Sequence, residues 1–131
     1  MLLSGCSLES KSCSTAGGAS GVLFEASALP TTAPLPWQAT FCADDVCHDG
    51  VVDDYDSIWF DAENDQLGTD PVTAHLKVVA ADGAVLADST TELTTSRHDV
   101  NGNGCGPIVW RAGAVVGADG TLTAAPTGEQ P

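Results

Sequence analysis

Apolar and polar residues alternate with a period of two along much of the chain, and no stretch shows the 3.6-residue period of an amphipathic helix. Val22, Phe24, Ala26 and Ala28 alternate with Leu23, Glu25 and Ser27 until Pro30 ends the run. Trp37, Ala39 and Phe41 alternate with Gln38, Thr40 and Cys42, and Val72, Ala74, Leu76, Val78 and Ala80 with Thr73, His75 and Lys77. A fourth run places Ile108, Trp110, Ala112, Ala114 and Val116 opposite Val109, Arg111 and Gly113. The shorter run Ser57 to Asp61, holding Ile58, Trp59 and Phe60, and the threonine-rich stretch from Thr90 to Arg97 add two further strands. Asp82-Gly83 and Asp119-Gly120 sit between apolar runs, where a hairpin turn needs positive φ angles. About seven short strands separated by frequent turns predict an all-β fold, an antiparallel sandwich.

The length of 131 residues suits one domain with a single core. No run of eighteen apolar residues occurs, so the sequence holds no membrane-spanning helix. Eighteen acidic residues against four basic ones give a net charge of −14, which argues against nucleic acid or anionic lipid headgroups as partners. Charged residues are 17% and hydrophobic ones 43%, the balance of a chain that folds and not of an acidic disordered tail.

The N-terminus carries the strongest targeting signal. Leu3-Ser4-Gly5-Cys6 has the form of a bacterial lipobox, with a branched apolar residue and two small residues before the cysteine. Small residues are required because a signal peptidase closes around the extended backbone just before a cysteine carrying diacylglycerol. The basic region and apolar stretch of a full signal would lie upstream of Met1. Cys6 is thus the expected lipid attachment point, and the protein is expected at the outer face of the cytoplasmic membrane, associated with the membrane through that anchor.

Four cysteines then remain, Cys13, Cys42, Cys47 and Cys105, which allow three pairings. Cys42 and Cys47 bracket the four-residue stretch Ala43-Asp44-Asp45-Val46, a hairpin-length loop. Residues flanking such a loop face each other at about 4.5–5.5 Å between Cα atoms, within reach of a disulfide. A zinc site opened by this pair and His48 lacks a second ligand pair at the right spacing.

Candidate chemistry elsewhere is sparse. No GxSxG, HExxH, P-loop or GxGxxG motif is present, and His48, His75 and His98 lie on three separate segments. These features predict neither catalysis nor a cofactor. His75 falls on the outward face of its strand, where a solvated side chain is expected. Trp37 and Trp110 share faces with Phe41 and Ile108 and read as core, whereas Trp59 lies in an irregular acidic segment. That segment holds Asp44, Asp45, Asp49, Asp53, Asp54, Asp56, Asp61, Glu63, Asp65 and Asp70, with no lysine or arginine between Lys11 and Lys77. It reads as a solvated loop that keeps an apolar domain in solution.

Asp99-Val100-Asn101-Gly102-Asn103-Gly104 opens like a calcium loop, with oxygens at positions 1, 3 and 5 and glycine at 6. Position 12 is Trp110 in place of the bidentate glutamate, so Asp99, Asn101 and Asn103 form at most a weak metal site unless the acidic segment adds a ligand.

Cys13 followed by Gly21-Val22, the Phe41-Cys42 to Cys47 hairpin, and Asn101-Gly102-Asn103-Gly104-Cys105-Gly106-Pro107 before an apolar strand resemble a group of small actinobacterial lipoproteins. The resemblance spans nearly the whole chain and implies an immunoglobulin-like sandwich in the cell envelope, with no assigned activity and no catalytic or binding residue to transfer. A second cysteine often follows the one matching Cys105 in that group. None follows here, so the resemblance leaves Cys13 as the partner of Cys105. The domain plan is then a signal remnant and lipobox at 1–6, a short tether at 7–20, a sandwich at 21–124 and a disordered tail at 125–131. The expected role is a non-catalytic binding or accessory module for a protein or small-molecule ligand. A calcium-dependent module using Asp99, Asn101 and Asn103, or a secreted hydrolase without a recognisable motif, are the alternatives.

Overall fold

The structure, a computed structural model, describes residues 19–56, 58–99 and 108–125. Nine strands and no helix occur among them: β1 Gly21–Glu25, β2 Trp37–Ala43, β3 Val46–Val52, β4 Trp59–Glu63, β5 Val72–Val79, β6 Val85–Leu93, β7 Ser96–Asp99, β8 Ile108–Val116 and β9 Leu122–Ala124. They form two sheets, as the alternation predicts. In sheet I, β9 pairs with β8, β8 with β1 and β1 with β4, while β7 also pairs with β8; sheet II has the order β3-β2-β5-β6. Every pairing is antiparallel except that of β1 with β8, which is parallel.

The core lies between the sheets and is built from the inward positions of the period-two pattern. Val22, Phe24, Trp37, Ala39, Phe41, Val72, Ala74, Leu76, Val78, Ala112, Ala114 and Val116 are all buried in one cluster. Each fully buried large aliphatic or aromatic side chain contributes roughly 1.5–3 kcal/mol. Trp37 donates its indole N–H to the Ala33 carbonyl at 3.3 Å, so its one polar atom is satisfied at the end of the sandwich. Trp110 is half-buried and packs against the core, but Ile108, expected inside with it, is 45% exposed, while Val109 is buried on the opposite face. The first run also stops earlier than its alternation suggests. Ala26 is buried, but Ala28 is exposed in the turn that follows β1.

Both Asp-Gly hairpins have one geometry. Gly83 N–H donates to Ala80 O at 3.0 Å and Ala80 N–H to Ala84 O at 2.8 Å, with Gly83 at φ 90°. Gly120 N–H donates to Gly117 O and Gly117 N–H to Thr121 O, both at 2.9 Å, with Gly120 at φ 85°. This is the three-residue loop of a type I turn followed by a left-handed residue. The aspartate side chain closes it each time, accepting from Ala84 N–H and Thr121 N–H at 3.0 Å.

Two departures from the sequence expectation shape the molecule. The threonine-rich stretch is not one strand. It breaks at Thr94-Thr95 between β6 of sheet II and β7 of sheet I, so the chain crosses there from one sheet to the other. The acidic segment is not one irregular loop either. It contains β4, which the short run Ser57 to Asp61 already predicts, and β3, and their outward positions carry Asp49, Asp61 and Glu63. Those carboxylates interrupt the apolar pattern because one face of each strand is exposed.

Candidate functional site

β3 is an edge of sheet II and β4 an edge of sheet I, and both lie on the same side of the sandwich. Among the described residues, neither strand has a second strand partner. A row of rings and polar clamps holds the two edges together. His48 on β3 stacks on Phe41 with ring centroids 5.9 Å apart, and Phe41 stacks on Phe60 of β4 at 5.2 Å. The His48 Nε2–H donates to the Glu63 carbonyl at 2.8 Å, bridging the sheets and fixing the proton on that nitrogen. Asn64, 4% exposed, donates from Nδ2 to Ala43 O at 2.9 Å and accepts Gln66 N–H at its Oδ1, also at 2.9 Å.

Beside this clamp a cleft of ≈ 340 Å³ opens between β3 and β4. Phe41, Ile58, Phe60 and the 50–52 end of β3 contribute apolar wall, and Asp53, Asp54, Asp56, Asp61 and Trp59 also line it. Trp59 is not core. It is the first residue of β4 and stands 48% exposed at the cleft. The loop between the strands is anchored by Tyr55, whose hydroxyl donates to Ala33 O at 2.6 Å and whose ring meets Trp37 edge-on at 5.8 Å. Asp54 Oδ1 accepts the Asp56 N–H at 2.7 Å. On the neighbouring outer surface, Arg111 of β8 sits 3.5 Å from Asp61 and also donates to the Ala19 carbonyl. That places one cation at the far rim while the carboxylates of the 53–56 loop face solvent.

The outer face of sheet II carries the second group of interest. Cys42 of β2 and Cys47 of β3 are directly paired across the hairpin and joined by a disulfide, with Cα atoms 4.1 Å apart. The turn is tighter than the four-residue loop expected. Ala43 pairs with Val46, leaving Asp44 and Asp45 at the tip. Asp44 takes φ 55°, a left-handed value that aspartate tolerates, and its carboxylate accepts Thr73 N–H at 2.9 Å. On the other side of β2, Cys42 is paired with His75 of β5. His75 Nδ1 lies 4.0 Å from Cys42 Sγ, and its Nε2 lies 3.0 Å from Asp88 Oδ1 on β6. The bond from His75 holds the Asp88 carboxyl below the ordinary carboxylate range. His75 is on the outward face as expected, but it is not simply solvated. Its alternation gives the face and not the neighbours, which only strand register supplies.

The remaining sequence candidates are placed in part. Asp99 is the last residue of β7. Cys6, Cys13, Asn101, Asn103 and Cys105 lie outside the described residues, and with them the lipid attachment, the Cys13–Cys105 pairing and most of the calcium-like loop. Among the described residues, no three His, Cys, Asp or Glu side chains come together in a group able to hold a metal ion. Comparisons with protein-family models, curated proteins and solved structures find no match to the chain.

Proposed function

We propose that the protein is a non-catalytic binding module of the cell envelope, held at the outer face of the cytoplasmic membrane by lipid on Cys6, with an immunoglobulin-like sandwich as its body. Its ligand is an extended, basic peptide segment, and its binding surface is the cleft between β3 and β4. The observation that carries this reading is the exposed Trp59 on a strand that is an edge among the described residues, beside a cleft that Asp53, Asp54, Asp56 and Asp61 help to line. Each part matches a feature of such a ligand. Free strand edges offer backbone donors and acceptors to an extended chain. The carboxylates attract lysine or arginine, and an indole face takes a cation or the stem of a long basic side chain at about 0.5–1 kcal/mol when exposed. The net charge of −14 steers the same partner from a distance. The lipobox at Cys6 supports an envelope location, where proteins and peptides of the cell surface are the accessible partners.

The test is calorimetric titration of the full chain with a synthetic peptide alternating lysine and valine, and with its glutamate counterpart. Binding of the basic peptide alone, weakening as salt rises and lost on Trp59→Ala without a change in unfolding, is the expected result. An absence of heat with millimolar basic peptide, or equal binding by Trp59→Ala, refutes the assignment. Cys6→Ala in cells expressing the chain behind a complete signal should release the domain from membranes; a variant that still fractionates with them rules out the anchor.

A further inference from the structure

The Cys42–Cys47 disulfide, read from the sequence as a staple, occupies a place in the sheet that suits a reactive bond. Four side chains stand in a row across the outer face of sheet II. Cys47 is on the edge strand β3, Cys42 on β2, His75 on β5 and, two residues along from the position paired with His75, Asp88 on β6. The two sulfurs are unlike. Cys47 is exposed, whereas Cys42 is 4% exposed and has the imidazole of His75 beside its sulfur.

We propose that Cys42–Cys47 is a thiol–disulfide exchange site, which takes a thiol at Cys47 and releases Cys42 as a thiolate stabilised by His75 and Asp88. Exchange needs an attacking thiolate in line with the S–S bond, on the far side of the sulfur it strikes. The bond runs from β2 to β3, so its extension beyond Cys47 leaves the sheet at the free edge, where no other described strand pairs. On the side of Cys42 away from β3 stands His75 of β5, its Nδ1 4.0 Å from a sulfur whose residue is 4% exposed. Attack therefore falls on Cys47. The incoming thiolate bonds to Cys47 Sγ, the S–S bond breaks, and its electron pair departs on Cys42 Sγ. A second thiol then displaces the mixed disulfide, leaving Cys47 reduced and the two co-reactant thiols joined as a disulfide.

The row supplies what the leaving sulfur needs. Asp88 accepts the Nε2–H of His75 at 3.0 Å and so orients Nδ1 toward Cys42. The proton that the incoming thiol gives up passes to that nitrogen, so the departing Cys42 thiolate meets an imidazolium backed by a carboxylate, the pairing that stabilises a cysteine thiolate. The other charged groups of this face are Lys77 next along β5, Asp49 on β3 and Glu92 on β6. Thr40 Oγ1 donates to Asp49 at 3.1 Å, tying that carboxylate to β2. The co-reactant is a small thiol or the dithiol of a second protein, which the exposed edge admits equally.

The experiment reduces the folded full chain with graded dithiothreitol from acid to alkaline pH. Quenching with an alkylating agent and peptide mass spectrometry then score Cys42 and Cys47 separately from the other cysteines. His75→Gln and Asp88→Asn, both surface changes, are run beside the parent. The expected result is reduction about tenfold slower in His75→Gln, with a smaller loss in Asp88→Asn, because the leaving thiolate loses its stabilising partner. In a Cys47→Ala chain, Cys42 should alkylate with a titration midpoint below the ordinary thiol value of about 8.5, and His75→Gln should return it there. Reduction rates within twofold of the parent in both variants, or an ordinary Cys42 titration in Cys47→Ala, would overturn the assignment and leave a staple.

Discussion

Replacing Gly120 with alanine separates the two costs of a side chain in a tight turn, because Gly83 provides the control within the same molecule. Both glycines end the same three-residue hairpin loop with left-handed φ, 85° at Gly120 and 90° at Gly83. The conformational cost of a Cβ there is therefore common to both, about 1–2 kcal/mol. Their surroundings differ. A Cβ on Gly83 meets nothing within 4 Å. A Cβ on Gly120 would stand 2.4 Å from Leu86 O and 2.8 Å from Ala87 Cα, both backbone atoms of β6. The turn from β8 to β9 is pressed against the opposite sheet, and Leu122 N–H reaches Ser89 Oγ on β6 at 3.3 Å. Backbone inside a paired strand cannot rotate away, so the turn must lift, at a cost of about 1–3 kcal/mol of overpacking. Gly83→Ala should then lose about 1–2 kcal/mol and Gly120→Ala about 2–5 kcal/mol in urea unfolding. For a domain of this size each kcal/mol corresponds to roughly 3–5 °C in Tm. Equal losses at the two sites, within about 0.5 kcal/mol, would refute the claim that the close approach to β6 limits this turn.

Asn64→Ala removes an amide that ties the end of β4 to the Ala43 carbonyl and holds Gln66 N–H, and should cost about 2–4 kcal/mol because both partners lose a bond at a buried junction. Asn64→Asp, which would set a buried carboxylate oxygen against the Ala43 carbonyl where the amide now donates, should cost at least as much in urea unfolding. Asp119 is held below the ordinary carboxylate range by the Thr121 N–H it accepts. A depressed folded pKa stabilises above the ordinary range and ceases to do so as pH falls through the folded value. Asp119→Asn should therefore be less stable than the parent at neutral pH, with the gap closing as the pH falls below the ordinary carboxylate range; a gap that persists in strong acid would assign the loss to turn geometry and not to charge.

The period-two pattern of Val22–Ala26, Trp37–Phe41, Val72–Ala80 and Ala112–Val116 determined the sheets and the inward faces by itself. Alternation is a local property of a pleated strand with one dry face, and each run carries it in full. The two hairpins at Asp82-Gly83 and Asp119-Gly120 were equally local, since the left-handed residue and the carboxylate that closes the loop are adjacent in the chain. The Cys42–Cys47 bond needed only the length of the loop between them. Edge strands were harder to read. At β3 and β4 half of the outward positions are carboxylates, Asp49, Asp61 and Glu63, so the apolar signal shrinks to short runs among many aspartates; only the run Ser57 to Asp61 reads as a strand there, and the rest reads as a loop. What the tertiary structure alone decided is adjacency. Trp59 meets Asp53, Asp54 and Asp56 at one cleft because two edges from different sheets end on the same side of the sandwich. His75 stands between Cys42 and Asp88 because β2, β5 and β6 pair in one register, and a slip of one residue would turn each of these side chains to the opposite face. Register is fixed by the summed burial of the core face, a property of the packed sheets and not of any one segment, and it is that burial which brings distant chemistry together on the outer surface.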